Sequence, residues 1–421
     1  MKLLILGGSN VQLNAVRRAK SKDHTVIVSD YFEDAPAKSL CDFGEMASTF
    51  DIEENIRVAE KYKVDGVMTL GTDQPIYTAA RVADAFNLPR FLSLETAKAV
   101  TNKKVMKHIF RMNNIATANF RILSKDFAEA QLEGLRFPVV VKPLDSQGQR
   151  GVYRLESVSE IRSVFDEILS FSRENEILVE EYYPNEEITI SGWAQEGIAY
   201  ILTVTDRVCY HNYPHIGVCV AHDFPSKHLT NYHQDIIDLT QKITAAFDIK
   251  EGPIYYQFLV GDEGIKVNEI ACRIGGAYED EFIPLVTGVD ILDMLIEGSL
   301  GNAIDVSALH HDSLMQNSKH LSVQMIFAER GKVKSLNDME KLKMKPGVMQ
   351  AKYNIKPGSV IGDIENATAR AGYMIIVGQN QEALEENIRS AYEELEILDG
   401  EGNNLIMNFF AERKSYHEEN Y

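Results

Sequence analysis

At 421 residues, with 45% hydrophobic and 25% charged residues, the chain has the composition of an ordinary globular protein of two to four domains. A formal net charge of -19 opposes general association with nucleic acid or an anionic membrane, so any bound phosphate must be held by a local cluster of cations. Cys41, Cys209, Cys219 and Cys272 are scattered with no CxxC, which argues against a zinc site or a disulfide framework and for a reducing, cytoplasmic compartment.

The apolar run of MKLLILGGSN is too short to span a bilayer and reads as a buried first strand over 3–6, broken at Gly7-Gly8-Ser9-Asn10. A helix over 11–20 and a strand over 25–29, ending at Asp30, form a βαβ start that could bind a dinucleotide, with Asp30 toward a ribose. No third glycine follows where a GxGxxG helix packs on its strand, which weighs against NAD. A helix over 53–61, a strand over 66–70 and a helix opened by Gly71-Thr72-Asp73-Gln74-Pro75 continue the alternation and predict a doubly wound parallel domain over 1–95. Asp73 reads as a helix N-cap, with a substrate role as the lesser alternative. Residues 94–113 read as one helix whose basic face, Lys103, Lys104 and Lys107-His108, is solvated unless the fold carries Lys103 to a phosphate.

Residues 96–185 form the next unit, and from Ala116 they predict a small α+β lid within it: strand 118–122, helix 126–132, strand 138–141, strand 151–155, helix 159–170 and strand 176–179. Its centre is FPVVVKPLDSQGQRG, 137–151, where β-branched valines deliver Lys142 to the mouth of a glycine-containing loop. Small residues at 146–151 let backbone N–H groups approach an anion, with Lys142 and Arg150 supplying charge. The pattern is not a P-loop, because the lysine precedes the glycines; an ordinary hairpin turn is the competing reading. Beyond it, Glu180-Glu181-Tyr182-Tyr183 up to Glu187 is either a charged hinge or a segment whose backbone reads an adenine edge while Glu187 holds ribose.

Residues 186–310 predict a larger sheet, with strands over 188–192 and 198–205, a polar irregular loop over 206–215 bordering a substrate, and a helix over 230–247. His211, His215, His222 and His228 match no compact ligand set. A hairpin turning at 262–264 sets Gln257 opposite Glu269, an oxygen pair suited to Mg²⁺ shared with phosphates or else a solvent-facing pair. Arg273 and Gly275-Gly276 follow, and Arg273 could clamp a phosphoryl group or a carboxylate. Residues 311–421 predict a small α+β cap, with strands over 321–328 and 373–378, a helix over 382–398 and an acidic tail from near Glu412.

Taken in order, Lys103, VVVKP ending in Lys142, SQGQRG, EEYY with Glu187, Gln257 and EIACRIGG from Glu269 resemble the ATP-grasp superfamily across essentially the whole chain. The likeness is greatest to its carbamoyl-phosphate-synthase-like and L-amino-acid-ligase-like branches. The resemblance implies a preATP-grasp doubly wound domain, an ATP-grasp lid and large sheet, and a small α+β cap. It implies that Lys103 and Lys142 contact ATP phosphates, that the backbone from Gln147 through Gly148 to Gly151 covers them, and that the Glu181 carbonyl and Tyr183 N–H read adenine. Glu187 would hold ribose, Gln257 and Glu269 would bind Mg²⁺ or Mn²⁺, and Arg273 would steady an acyl phosphate. Two departures bear on metal stoichiometry: Ala271 stands where many relatives have asparagine, and Gln257 replaces an acid.

The activity implied is an ADP-forming carboxylate–amine, or carboxylate–thiol-type, ligase acting through an acyl phosphate on an amino acid or related metabolite. The expected partners are a small-molecule carboxylate and an amine, without nucleic acid or membrane, in a homodimer. The alternatives are a carboxyphosphate or formyl-phosphate enzyme of the biotin-carboxylase or purine-biosynthesis type, an NAD-dependent oxidoreductase and a non-catalytic nucleotide sensor.

Overall fold

A computed structural model describes residues 1–310, 314 and 317–412, and the acidic tail expected beyond Glu412 lies outside them. The chain opens with β1 (Lys2–Leu6), β2 (Thr25–Asp30), β3 (Phe43–Met46) and β4 (Gly66–Met68), a parallel sheet in the order β3-β2-β1-β4. Its central strands are apolar on consecutive residues because both faces are covered. Leu4, Leu6 and Ile27 pack with Val58 of α2 (Ile52–Tyr62) and Val82 of α3 (Pro75–Phe86). Leu3, Ile5 and Val28 pack with Val16 of α1 (Leu13–Ser21) and with Leu292 and Leu295. The turn at Gly7-Gly8 is filled from within: the Gly8 N–H donates to the Asp30 carboxylate at 2.8 Å, and its carbonyl accepts from Ala37. Both backbone groups of Gly8, the residue a dinucleotide pyrophosphate would approach, are thus already engaged.

The helix expected over 94–113 is two, α4 (Leu94–Thr101) and α5 (Lys103–Met112), broken at Asn102. The Asn102 side chain accepts from the N–H groups of Lys104 and Val105, so it caps a new helix instead of continuing the old one. The lid follows with β5 (Phe120–Ser124), β6 (Val139–Pro143), β7 (Tyr153–Leu155), α6 (Val158–Ser170) and β8 (Glu176–Glu181). In place of the helix expected over 126–132 there is only a 3₁₀ turn, Glu129–Leu132. Arg121 takes the carbonyls of Gln131 and Glu133, which a longer helix would need.

The large sheet is built from β9 (Glu186–Gln195), β10 (Ile198–Asn212), β11 (His215–Phe224), β12 (Gly252–Gly261) and β13 (Gly264–Ala271), with α7 (Leu229–Ala246) against one face. The polar stretch 206–215 is no irregular loop. It continues β10 into a long hairpin with β11, where Asp206, Arg207 and Cys209 find antiparallel partners. On the other face lie α8 (Glu279–Thr287) and α9 (Ile291–Ser299). The cap enters as β14 (His320–Ala328), which pairs with β11 and with strand Gly372–Gly378; the latter pairs with Val348–Tyr353 beneath helix Gln381–Glu393. Lid, large sheet and cap therefore share one 13-stranded sheet. Among the described residues no helix is long and apolar enough to cross a membrane.

Candidate active site

One helix start and two strand ends bring the cations together. Because Asn102 caps α5, Lys103 is its first residue, and the Lys103 N–H donates to the Leu144 carbonyl, pinning the helix beside the loop after β6. Lys103 Nζ donates to the Ser146 carbonyl at 3.0 Å and lies 3.3 Å from Glu269 Oε2. Lys142, near the end of β6, sits 2.7 Å from Glu180 Oε2 and donates to Asn268 Oδ1 at 2.8 Å.

The expectation that Lys107 is solvated fails. It is 1% exposed, forms an ion pair with Glu180 and donates to Thr117 Oγ1 at 2.6 Å. Four residues after Lys103 it faces the same way, and that face of α5 is docked on the sheet. Glu180 thus bridges two buried lysines. Burial alone would raise its pKa, but Lys107 and Lys142 hold it below the usual carboxylate range. For Lys107 burial wins and lowers the pKa; for Lys142 the attraction of Glu180 and Glu269 outweighs burial and raises it.

Gln257 of β12 and Glu269 of β13 are direct cross-strand partners, and the register skips between Gln257 and Phe258, so that Asn268 is the extra residue of a bulge. The bulge turns Asn268 toward Lys142 and Gln257. Burial would raise the Glu269 pKa, yet Lys103, Lys142 and Arg273 bring it down to about 2, so it is ionised throughout the neutral range. One carboxylate with the amide oxygen of Gln257 is a hard oxygen set, which fits Mg²⁺ or Mn²⁺ completed by nucleotide phosphates. Among the described residues no cluster of three or more His, Cys, Asp and Glu could hold a metal unaided. The buried Ala271 methyl offers no ligand, and the amide beside Glu269 is Asn268.

At the hinge, the Glu181 N–H donates to the Asn119 carbonyl while its carboxylate accepts from Asn119 and Arg136. Tyr183 Oη is fixed to the hairpin turn, donating to the Gly264 carbonyl and accepting from the Glu263 N–H. Glu187 is held by Arg207, whose Nη1 lies 2.5 Å from Glu187 Oε2 and whose Nη2 donates to the Gly217 carbonyl. A loop over 206–215 hides Arg207, and strand alternation alone would not find it: the β9–β10 register skips at Leu202, which brings Arg207 rather than Asp206 opposite Glu187.

Arg273 Nε and Nη2 both reach Asp73 Oδ1, at 2.7 and 2.6 Å, and its guanidinium lies 4.2 Å from the centre of the Tyr255 ring. Asp73 is therefore no helix cap. That part falls to Gln147, whose Oε1 accepts from the N–H groups of Asp73 and Gln74 ahead of α3. Gly148 and Gly151 hold φ of +69° and +70°, and the Gly148 carbonyl accepts from Ala367 of the cap. A cavity of about 1030 Å³ is lined by Lys103, Lys142, Gln147 and Gly148, by Glu181, Tyr183 and Glu187, and by Gln257 and Glu269; Gly151 and Arg273 stand outside its lining.

Residues 135–281 match the ATP-grasp domain family, and residues 324–398 match the L-amino acid ligase C-terminal domain 2 family. The chain is 22% identical to dapdiamide A synthase of Enterobacter agglomerans over 80% of its own length and 81% of that protein. Among solved structures, L-amino acid ligase from Bacillus licheniformis superposes with a TM-score of 0.78 at 19% identity, covering 94% of this chain and 98% of that one. The biotin carboxylase domain of 2-oxoglutarate carboxylase from Hydrogenobacter thermophilus does so with a TM-score of 0.75 at 16% identity, covering 94% and 90%.

Proposed function

Starting from a chain that is an ATP-grasp ligase of the ADP-forming kind, we propose that it joins the carboxylate of an amino acid, or of a closely related metabolite, to an amine. A carboxylate oxygen attacks the γ-phosphorus of ATP, the bond to the bridging oxygen breaks, and ADP leaves. The amine nitrogen then attacks the acyl carbon, phosphate departs, and the nitrogen gives up a proton. The observation that carries this reading is the convergence on one cavity of Lys103, Lys142, the Gln147 loop and the Gln257–Glu269 pair.

Phosphoryl transfer needs positioned charge more than a nucleophilic side chain. Lys103 and Lys142 hold the phosphates, the backbone from Gln147 to Gly151 covers them, and the Tyr183 N–H, which has no hydrogen-bond partner among the described residues, meets the adenine edge. Mg²⁺ held by Gln257 and Glu269 would neutralise phosphate charge. Arg273, freed from Asp73, takes the reacting carboxylate. Closure of the lid excludes water, which would otherwise hydrolyse the acyl phosphate.

The test is to incubate the protein with MgATP and amino acids, singly and in pairs, and to measure ADP and phosphate beside a Lys142→Ala control. Release that requires a particular pair and vanishes in the variant supports the ligase. Release driven by bicarbonate or formate would move the reading to carboxyphosphate or formyl-phosphate chemistry. Thermal stabilisation by ATP without release under any addition would make the protein a sensor.

A further inference from the structure

We infer, resting on the ligase reading above, that Lys107 is a positioning residue for the nucleotide: by holding one oxygen of Glu180, it leaves the charge of Lys142 free for the phosphates. Three side chains carry the argument. Val140 of β6 stands opposite Glu180 of β8, so Lys142, two residues on, shares the face that Glu180 presents. From α5, Lys107 reaches the same carboxylate. Lys142 Nζ lies 2.7 Å from Oε2, while Oε1 has no hydrogen-bond partner and is held by its ion pair with Lys107. All three residues line the cavity.

Charge decides what the third member does. Glu180 with Lys142 alone is a neutral pair, and an incoming phosphate would compete with the carboxylate for the same ammonium. With Lys107 present, two ammonium groups face one carboxylate, and one positive charge is left in excess. The other carboxylates that Lys142 feels, Glu269 and Glu187, have cations of their own: Lys103 lies 3.3 Å from Glu269, and Arg207 is paired with Glu187. In the poorly screened interior that excess acts more strongly than it would in water.

The fold alone gives no reason for a lysine at this place. Met106 and Phe110 of the same helix belong to the apolar core, and a buried charge pair is often replaced by well-packed apolar residues at no loss of stability. Lys107 is nevertheless built in as a cation. Nζ donates to Thr117 Oγ1 at 2.6 Å, and Thr117 donates its own O–H to the Val267 carbonyl at 2.7 Å, which leaves the hydroxyl an acceptor toward Lys107. Glu180 is the second acceptor, and it is ionised because the two lysines hold its pKa down against burial. Burial lowers the Lys107 pKa, and the same carboxylate works against that.

Adenosine and ADP separate charge from shape, since both carry the adenine and the ribose and only ADP carries phosphates for Lys142. Dissociation constants of the full-length protein for adenosine, ADP and MgATP are measured by competition against a fluorescent ATP analogue at one ionic strength. The readout is the ratio of the adenosine constant to the ADP constant. Lys107→Met should lower that ratio about tenfold, the size of one hydrogen bond to a charged group, with adenosine bound as in the wild type. The variant orphans no charge, because Glu180 keeps Lys142. Lys107→Met combined with Glu180→Gln removes one charge of each sign, restores the excess at Lys142 and should return the ratio to that of the wild type. Lys107→Arg should keep it. Should Lys107→Met not fold, Lys107→Gln, which keeps a donor for Thr117, carries the same expectation.

An unchanged ratio in Lys107→Met would overturn the inference and leave the ligase standing. So would a double variant as weak toward ADP as the single one, because a residue that serves only packing does not follow the count of charges. Wild-type protein that binds neither ADP nor MgATP would overturn the ligase reading itself.

Discussion

Two glycine turns follow buried strands in this chain, and they differ in what surrounds them. At Gly8 an added Cβ would lie 2.8 Å from the Ala35 methyl and 3.1 Å from Asp30 Cβ, and the backbone on either side of it is already hydrogen-bonded. At Gly148 the nearest atom to such a Cβ is 3.8 Å away, and the residue lines the cavity next to the Lys103 and Lys142 neighbourhood. The first turn faces a carboxylate, the second faces cations. Glycine is demanded at one by packing and at the other by a φ of +69°. A glycine motif thus says that the backbone bends closely; whether a phosphate fits depends on side chains far away in sequence.

Substitutions can break that contrast. The largest effect belongs to Lys142→Ala, which should lower kcat for ADP release about 10²- to 10³-fold, as for loss of a main electrostatic group at a transition state. Asn268→Ala comes next: if Gln257 and Glu269 hold Mg²⁺ as proposed, removing the residue that orients Lys142 beside them should raise the Mg²⁺ concentration for half-maximal rate about 10- to 100-fold. Gly8→Ala should cost about 1–3 kcal/mol of stability through overpacking, read as a lower unfolding midpoint, with nucleotide affinity unaltered. Gly148→Ala should cost about 1–2 kcal/mol for a left-handed non-glycine residue and should weaken ATP binding in a titration. If both alanines move the melt alike and neither touches ATP affinity, the two turns are equivalent and the contrast is lost.

The seam that docks the first domain adds a pH dependence. Asp280 of α8, buried against Asn14 of α1, has its pKa raised by burial to about 7, well above its unfolded value. A raised pKa means that the neutral form is favoured by folding. Its contribution is therefore fully present below about pH 4 and is lost as pH rises through 7. Asp280→Asn should melt above the wild type at pH 8, with the difference shrinking toward pH 5.

Much of the nucleotide side was legible because its signals are local. The valine run before Lys142 fixes a strand end, and the hairpin turn at 262–264 brings Gln257 to the neighbourhood of Glu269, although the turn's own register would set Gln257 opposite Asn268 and the bulge moves the pairing on by one. Lys107 was not legible. A lysine in an amphipathic helix looks solvated unless its partner is known, and Glu180 lies on a strand some seventy residues further on. Asn268 was hidden because a bulge defeats simple alternation along β13. The Asp73–Arg273 pair joins residues two hundred positions apart, so that nothing in either local pattern could announce it.

The pairing of β14 with β11 decides how this molecule can be taken apart. Residues Ala221 to Phe224 hydrogen-bond directly to the cap, and the cap strand Gly372–Gly378 extends the same sheet. A fragment cut before His320 would bare the β11 edge over that stretch, the buried His222 included, and an unpaired strand edge recruits other chains. The nucleotide-handling half is accordingly no portable cassette. To lend it a new cap by fusion, a donor segment would have to restore the strand before it offered any chemistry.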